Sequence, residues 1–81
     1  MNIRETFARN LRQARRVKGF SQEELADRAE LDRTYISALE RSVYNATIEV
    51  VERLATALEI EPAALLQRQK DQASKSDQLG R

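Results

Sequence analysis

Residues 21–41, SQEELADRAELDRTYISALER, carry two short helical patterns with only a tight turn between them. Two helices joined so closely pack against each other as a hairpin. Ser21 followed by Glu24 is a capping box, so the first of the two should start at Gln22. Its inward face is Leu25, Ala26 and Ala29, small enough in part for a second helix to cross closely. Glu30 and Leu31 make the turn. Asp32 is then an N-cap for a second helix whose buried stripe is Ile36 and Leu39, with Leu31 anchoring its start.

The outer side of that second helix carries chemistry. At about 100° per residue, Arg33, Thr34, Ser37 and Ala38 fall opposite the Ile36/Leu39 stripe, with Tyr35 at the border. Arg, Thr and Ser can hydrogen-bond base edges or phosphates, and Ala38 is small enough to let the helix sit deep in a groove. A major groove about 12 Å wide accepts a slim polar helix held rigidly by a second one. The pair reads as a helix-turn-helix.

With these residues in hand, the segment resembles the DNA-binding unit of the Cro/C1 (Xre-type) repressor family. The resemblance rests on Gln22, Leu25-Ala26, Ile36, Leu39 and Glu40-Arg41, and it extends from about Phe7 to Leu66. A narrower likeness is to the controller proteins of restriction-modification systems, through the run Arg33-Thr34-Tyr35-Ile36-Ser37 and the short chain. The family implies an all-α fold, a compact five-helix lambda-repressor-like bundle in which helices 2 and 3 form the helix-turn-helix. It also implies that residue 15 pairs with the acid ending the recognition helix, making Arg15–Glu40 a structural ion pair. Most relatives use Gly where this chain has Glu30, since the backbone turns left-handed there. They often have Gly and Pro at the places of Ser42 and Ala46.

Size and charge narrow the rest. The chain has 81 residues, 41% hydrophobic and 33% charged, which suits one globular domain with a modest core. Residues 1–69 form the expected DNA-binding domain and 70–81 a polar C-terminal tail. Cys and His are both missing, which removes thiol catalysis, disulfides and the usual zinc sites. No metal, no cofactor and no enzymatic activity is expected. The sequence shows neither a membrane span nor a signal peptide's apolar core, so the expected location is cytoplasmic, nucleoid-associated when bound to DNA. The net charge of +1 hides a basic stretch (Arg4, Arg9, Arg12, Arg15, Arg16, Lys18) ahead of an acidic middle. Either run can also be a plain solvated helix face.

Around the hairpin, Ile3, Phe7, Leu11 and Ala14 recur at helical spacing and predict a first helix from about Ile3 to Val17, closed by Gly19. Arg12 and Arg16, with Arg9, share another face that meets either a DNA backbone or water. Gln22 sits where free N–H groups at a helix start favour a phosphate; the alternative is an ordinary exposed first-turn residue. Tyr44 and Asn45, in the loop after Arg41, are further candidates for backbone contact, and Asn45 is equally a turn former. Thr47 caps a fourth helix with Ile48, Val51, Leu54, Ala55 and Leu58 on its buried face. Pro62 starts a fifth, reaching about Gln69, with Ala63, Leu65 and Leu66. One of these leucines can close the core. Ile60, Leu65 and Leu66 supply the dimer surface that the family places near this end, unless all of it folds back inside a monomer.

The expected function is a sequence-specific transcriptional regulator, a controller or repressor acting as a homodimer on double-stranded DNA. Residues 32–40 would lie in the major groove of a roughly palindromic operator, with Arg33, Thr34, Tyr35, Ser37 and Ala38 at the bases. Gln22, Arg12, Arg16, Tyr44 and Asn45 would be at the backbone. The alternative is an antitoxin or adaptor-type module whose partner is protein, because one fold serves several functions. An adaptor has no need of a polar row on helix 3.

Overall fold

A computed structural model describes residues 2–68. Asn2 opens the first helix, its side-chain oxygen accepting the Glu5 N–H at 2.9 Å. α1 spans Ile3–Lys18, one residue past the expected end. Gly19 stops it at φ 77°, and the pair Gly19 N–H to Arg16 O and Phe20 N–H to Arg15 O closes the last turn. α2, Gln22–Ala29, starts on the Ser21 hydroxyl, which accepts the Glu24 N–H at 3.0 Å. α3, Arg33–Glu40, starts on Asp32, and α4, Ile48–Leu58, on Thr47. α5, Pro62–Leu66, begins with proline at its first turn.

α1 lies against α5, α3 and α4; α2 packs on α3 and α4, and α4 on α5. The architecture is the all-helical, five-helix bundle expected, with no strand among the described residues. Phe7, Leu11, Leu25, Ile36, Leu39, Leu54, Leu58 and Leu65 meet in one core, with Ala26, Ala29 and Ala55 where helices cross closely.

Three expectations fail at helix ends. Ile3 and Ile48 belong by spacing to buried stripes, yet Ile3 is exposed and Ile48 is 87% exposed. Each is the first residue of its helix, and periodicity fixes a side chain's direction without supplying a neighbour to cover it. α5 ends at Leu66, short of the expected Gln69, because the Asn10 amide takes over the chain. Buried Asn10 donates to Leu65 O at 3.0 Å and Gln67 O at 2.7 Å, and Gln67 is already extended. Gln69 and the tail 70–81 lie outside the described residues.

Among the described residues four turns use left-handed backbone, and three of them lack glycine: Glu30 at φ 58°, Ser42 at 62° and Glu59 at 60°. For an L side chain this conformation costs about 1–2 kcal/mol. Glu30 is the cleanest case, since its carbonyl, which accepts from Arg53 at 3.3 Å, survives any substitution. Glu30→Gly should stabilise the fold by about 0.5–1 kcal/mol, after allowing for glycine's extra freedom in the unfolded chain. In a thermal melt that is a rise of several degrees; a fall would show that the Glu30 side chain makes a compensating interaction.

Candidate nucleic-acid interface

α3 is only eight residues long, about 12 Å, too short to persist alone, so its orientation depends on how its two ends are tied. At the N-terminus the Asp32 carboxylate accepts the Thr34 hydroxyl at 2.6 Å and the Thr34 N–H at 2.8 Å. The hydroxyl first, and the amide second, hold Asp32 below the usual carboxylate range. Here the negative charge also faces the positive end of the helix.

The C-terminal tie is ionic. Arg15 of α1 grips both oxygens of the Glu40 carboxylate, Nε to Oε2 at 2.6 Å and Nη2 to Oε1 at 3.0 Å. Its third bond runs to the Phe20 carbonyl at 2.9 Å, in the turn between α1 and α2. The two side chains are 12% and 4% exposed, so the pair is nearly dry. Gln22, half-buried at the start of α2, donates to the same carboxylate at 3.2 Å. Arg12 donates to the Glu40 carbonyl at 3.0 Å. Glu40 therefore receives donors from α1 and α2 together.

With its ends held and Ile36 and Leu39 buried, α3 turns Arg33 and Thr34 outward and leaves Ser37 half-exposed. Ala38 is a correction to the expected row: it is buried. The chain leaving α3 folds back on that side, where the Val43 N–H meets the Ala38 carbonyl at 2.9 Å. Exposed Arg41 takes its place on the outer face. Its spacing of four from Ser37 and eight from Arg33 was the available signal, obscured because Arg41 falls just beyond the helix. Tyr35 is half-buried and tied to the following loop: its phenol donates to Asn45 O at 3.3 Å, and its ring lies 6.1 Å from that of Tyr44. Tyr44 and Asn45 are exposed beside it.

On α1, Arg16 and Arg9 are exposed; with Arg12, Gln13 and Val17 they border a depression of about 440 Å³. The expected dimer residues do not share one surface. Leu65 has no exposure and belongs to the core, because Asn10 draws its backbone against α1. Ile60 is half-buried and lies with Leu58, Val17 and Ala64 around one hollow. Leu66 borders another of about 640 Å³, formed by Ile3, Phe7, Ile48, Val51 and Pro62.

If the Arg15–Glu40 pair carries the α1–α3 contact, Arg15→Ala or Glu40→Ala strands a buried charge and should cost roughly 3–5 kcal/mol. A double-mutant cycle should show strong coupling, the double variant losing far less than the sum. Additive losses in denaturant titrations would mean that the two side chains act separately.

Comparison with known proteins places this geometry. The helix-turn-helix family profile matches residues 11–65. A hypothetical transcription factor of Neisseria meningitidis is 45% identical over 65 residues, covering 80% of this chain and 61% of the longer relative. Control protein C.SmaI of Serratia marcescens is 42% identical over 69 residues, 85% of this chain and 82% of its own length. Among solved structures, the restriction-modification controller protein C.Esp1396I, a tetramer in complex with its natural 35 base-pair operator, superposes with a TM-score of 0.74. It is 34% identical, and the match covers 80% of this chain and 86% of the other.

Proposed function

Because the chain belongs to the helix-turn-helix family, we propose that it is a sequence-specific DNA-binding regulator of transcription. Two copies set α3 into successive major grooves, about 34 Å apart, of a roughly palindromic operator. The observation that carries this reading is the outer row Arg33, Thr34, Ser37 and Arg41 on a helix whose opposite face and last residue are locked to the bundle. Such a row can probe base edges without the helix moving. C.SmaI's role as a control protein and C.Esp1396I's operator complex support the same assignment.

Arg33 is the main specificity contact, bidentate to guanine O6 and N7. The Thr34 hydroxyl proton is committed to Asp32, so Thr34 reads DNA as an acceptor, suited to an amino group of adenine or cytosine. Ser37 adds a second hydroxyl and Arg41 a phosphate or guanine contact. Tyr35, its phenol turned to the loop, offers ring edge to a thymine methyl. Gln22, Arg16, Tyr44 and Asn45 flank α3 as phosphate contacts. No helix among the described residues is long and apolar enough to cross a membrane; the protein works in the cytoplasm, on the nucleoid when bound to DNA.

Arg33→Ala should cost about 1–3 kcal/mol on the operator and relax base preference at one position in each half-site. Binding-site selection from random oligonucleotides reads both effects. Equal losses on operator and random DNA would reduce Arg33 to a nonspecific contact.

One copy of so small a module buries too little DNA surface for a tight specific complex, so the regulator acts as a homodimer. The surface assigned to the second copy is the apolar hollow around Ile3, Ile48 and Leu66, where three exposed large apolar side chains gather. Placing a charge there, Ile48→Glu or Leu66→Glu, should yield a folded monomer by analytical ultracentrifugation, with weakened operator binding. A wild-type chain that sediments as a monomer at micromolar concentration, or charged variants that stay dimeric, would relocate or remove the interface.

A further inference from the structure

Arg12 borders the basic depression on α1, where a phosphate ligand would be expected, but its hydrogen bond points inward. Its Nη1 donates to the Glu40 carbonyl at 3.0 Å, and the residue is half-buried. That acceptor has a particular place in α3. A helix leaves its last four carbonyls without intrahelical donors. Here the N–H groups of Arg41, Ser42 and Val43 take up Ser37 O, Leu39 O and Ala38 O. The Glu40 carbonyl receives Arg12 instead, a cation from another helix. α3 has no basic residue in its own last turn and only the exposed Arg41 at its cap, so the negative end of its dipole, beside the buried Glu40 carboxylate, draws its inward compensation from α1. Arg15 supplies that at the carboxylate and Arg12 at the carbonyl. Two turns earlier on the same helix, Arg4 reaches the Ser42 carbonyl at 3.4 Å, extending the contact to the left-handed residue that redirects the chain.

We propose that Arg12 is a positioning residue: it fixes the C-terminal end of the recognition helix, and with it the reach of Ser37 and Arg41, and it is not a phosphate ligand. The assignment rests on the DNA-binding reading above and corrects the expectation that Arg12 meets the DNA backbone. The two roles differ in what they do to salt dependence. A phosphate ligand releases a counterion whatever the sequence, so its loss weakens all DNA alike and flattens the slope of log K against log salt by about 0.9. A residue that aims a helix affects only the sequence that the helix reads.

The test is Arg12→Ala, with Arg12→Met as a second variant that keeps the aliphatic stem if alanine fails to fold. Binding to a selected operator and to random DNA is measured at several salt concentrations. The operator-over-random ratio should fall roughly tenfold, as expected when a charge-assisted hydrogen bond is lost, while the salt slope stays at its wild-type value. Equal losses on both DNAs with a flatter slope, or no change in the ratio, overturns the proposal. Amide hydrogen exchange supplies a readout without DNA. Arg41, Ser42 and Val43 should exchange faster in the variant while the amides of α2 keep their protection; unchanged or uniformly faster exchange also overturns it. A wild-type chain that prefers no selected sequence would defeat the DNA-binding reading, and exchange would then decide the positioning role alone.

Discussion

The orientation of the recognition helix depends on one nearly dry ion pair, Arg15 with Glu40. Taking both charges out of water costs several kcal/mol, and their attraction offsets this only where every remaining donor and acceptor is also engaged. Here each of the three guanidinium nitrogens has a partner, and both carboxylate oxygens accept. Arg15 divides its donors between the Glu40 carboxylate and the Phe20 carbonyl, so a single side chain joins α1, α3 and the turn leading to α2. Gln22 adds a third donor to the carboxylate. An apolar pair of similar volume could hold the helices together as firmly, but it would tolerate sliding and rotation. The forked geometry of guanidinium on carboxylate tolerates neither, which is the property a base-reading helix requires.

Rigidity at that point coexists with strain elsewhere. The links after α2, α3 and α4 each pass through a left-handed residue with a side chain, at Glu30, Ser42 and Glu59. The link after α2 is short and brings α2 and α3 into hairpin contact, while the longer one after α3 sends the chain back past Ala38. A core built on a few fully buried leucines and one isoleucine leaves little surplus stability in a chain of 81 residues. Burying the exposed apolar side chains at Ile3, Ile48 and Leu66 against a second copy would add to that margin, so dimer formation couples folding to the two-fold arrangement of the proposed operator.

Local chemistry was the most readable part of the sequence. Ser21, Asp32 and Thr47 each act as the N-cap their residue type announces, and Gly19 closes α1, because a cap involves only atoms within a few residues. The helix-turn-helix and its outer Arg33 and Thr34 followed from these caps together with helical period. What could not be read was set by distant parts of the chain. Whether Ile3 and Ile48 are covered depends on how far other helices extend. Leu65 and Leu66 were interchangeable until Asn10, 55 residues away from one of them, selected which faces inward. Ala38 was lost to the outer face by the path of a loop with no regular pattern. Arg12 looked like any other cation on α1, since nothing near it in sequence reveals a bond to a carbonyl 28 residues on.

These ties also separate two tasks that a short helix usually performs with the same atoms. The stability of α3 comes from its buried stripe, from Asp32 at its start, and from Glu40 at its end. None of these rests on a hydrogen bond from the Arg33 or Arg41 side chain; both are exposed, and Arg33 adds only the smallest of the contributions that hold Asp32 ionised. Substitution along that outer row changes what the helix can hydrogen-bond without removing a core contact or a cap. Thr34 is the exception, because its hydroxyl both supports the Asp32 cap and lies on the reading face. Residue 34 is therefore constrained to a small side chain with a hydroxyl, whereas residue 33 carries no such requirement and, in the proposed complex, is free to vary with the base opposite it. A change of target sequence on this scaffold should thus be carried by positions 33, 37 and 41, while position 34 stays with the fold.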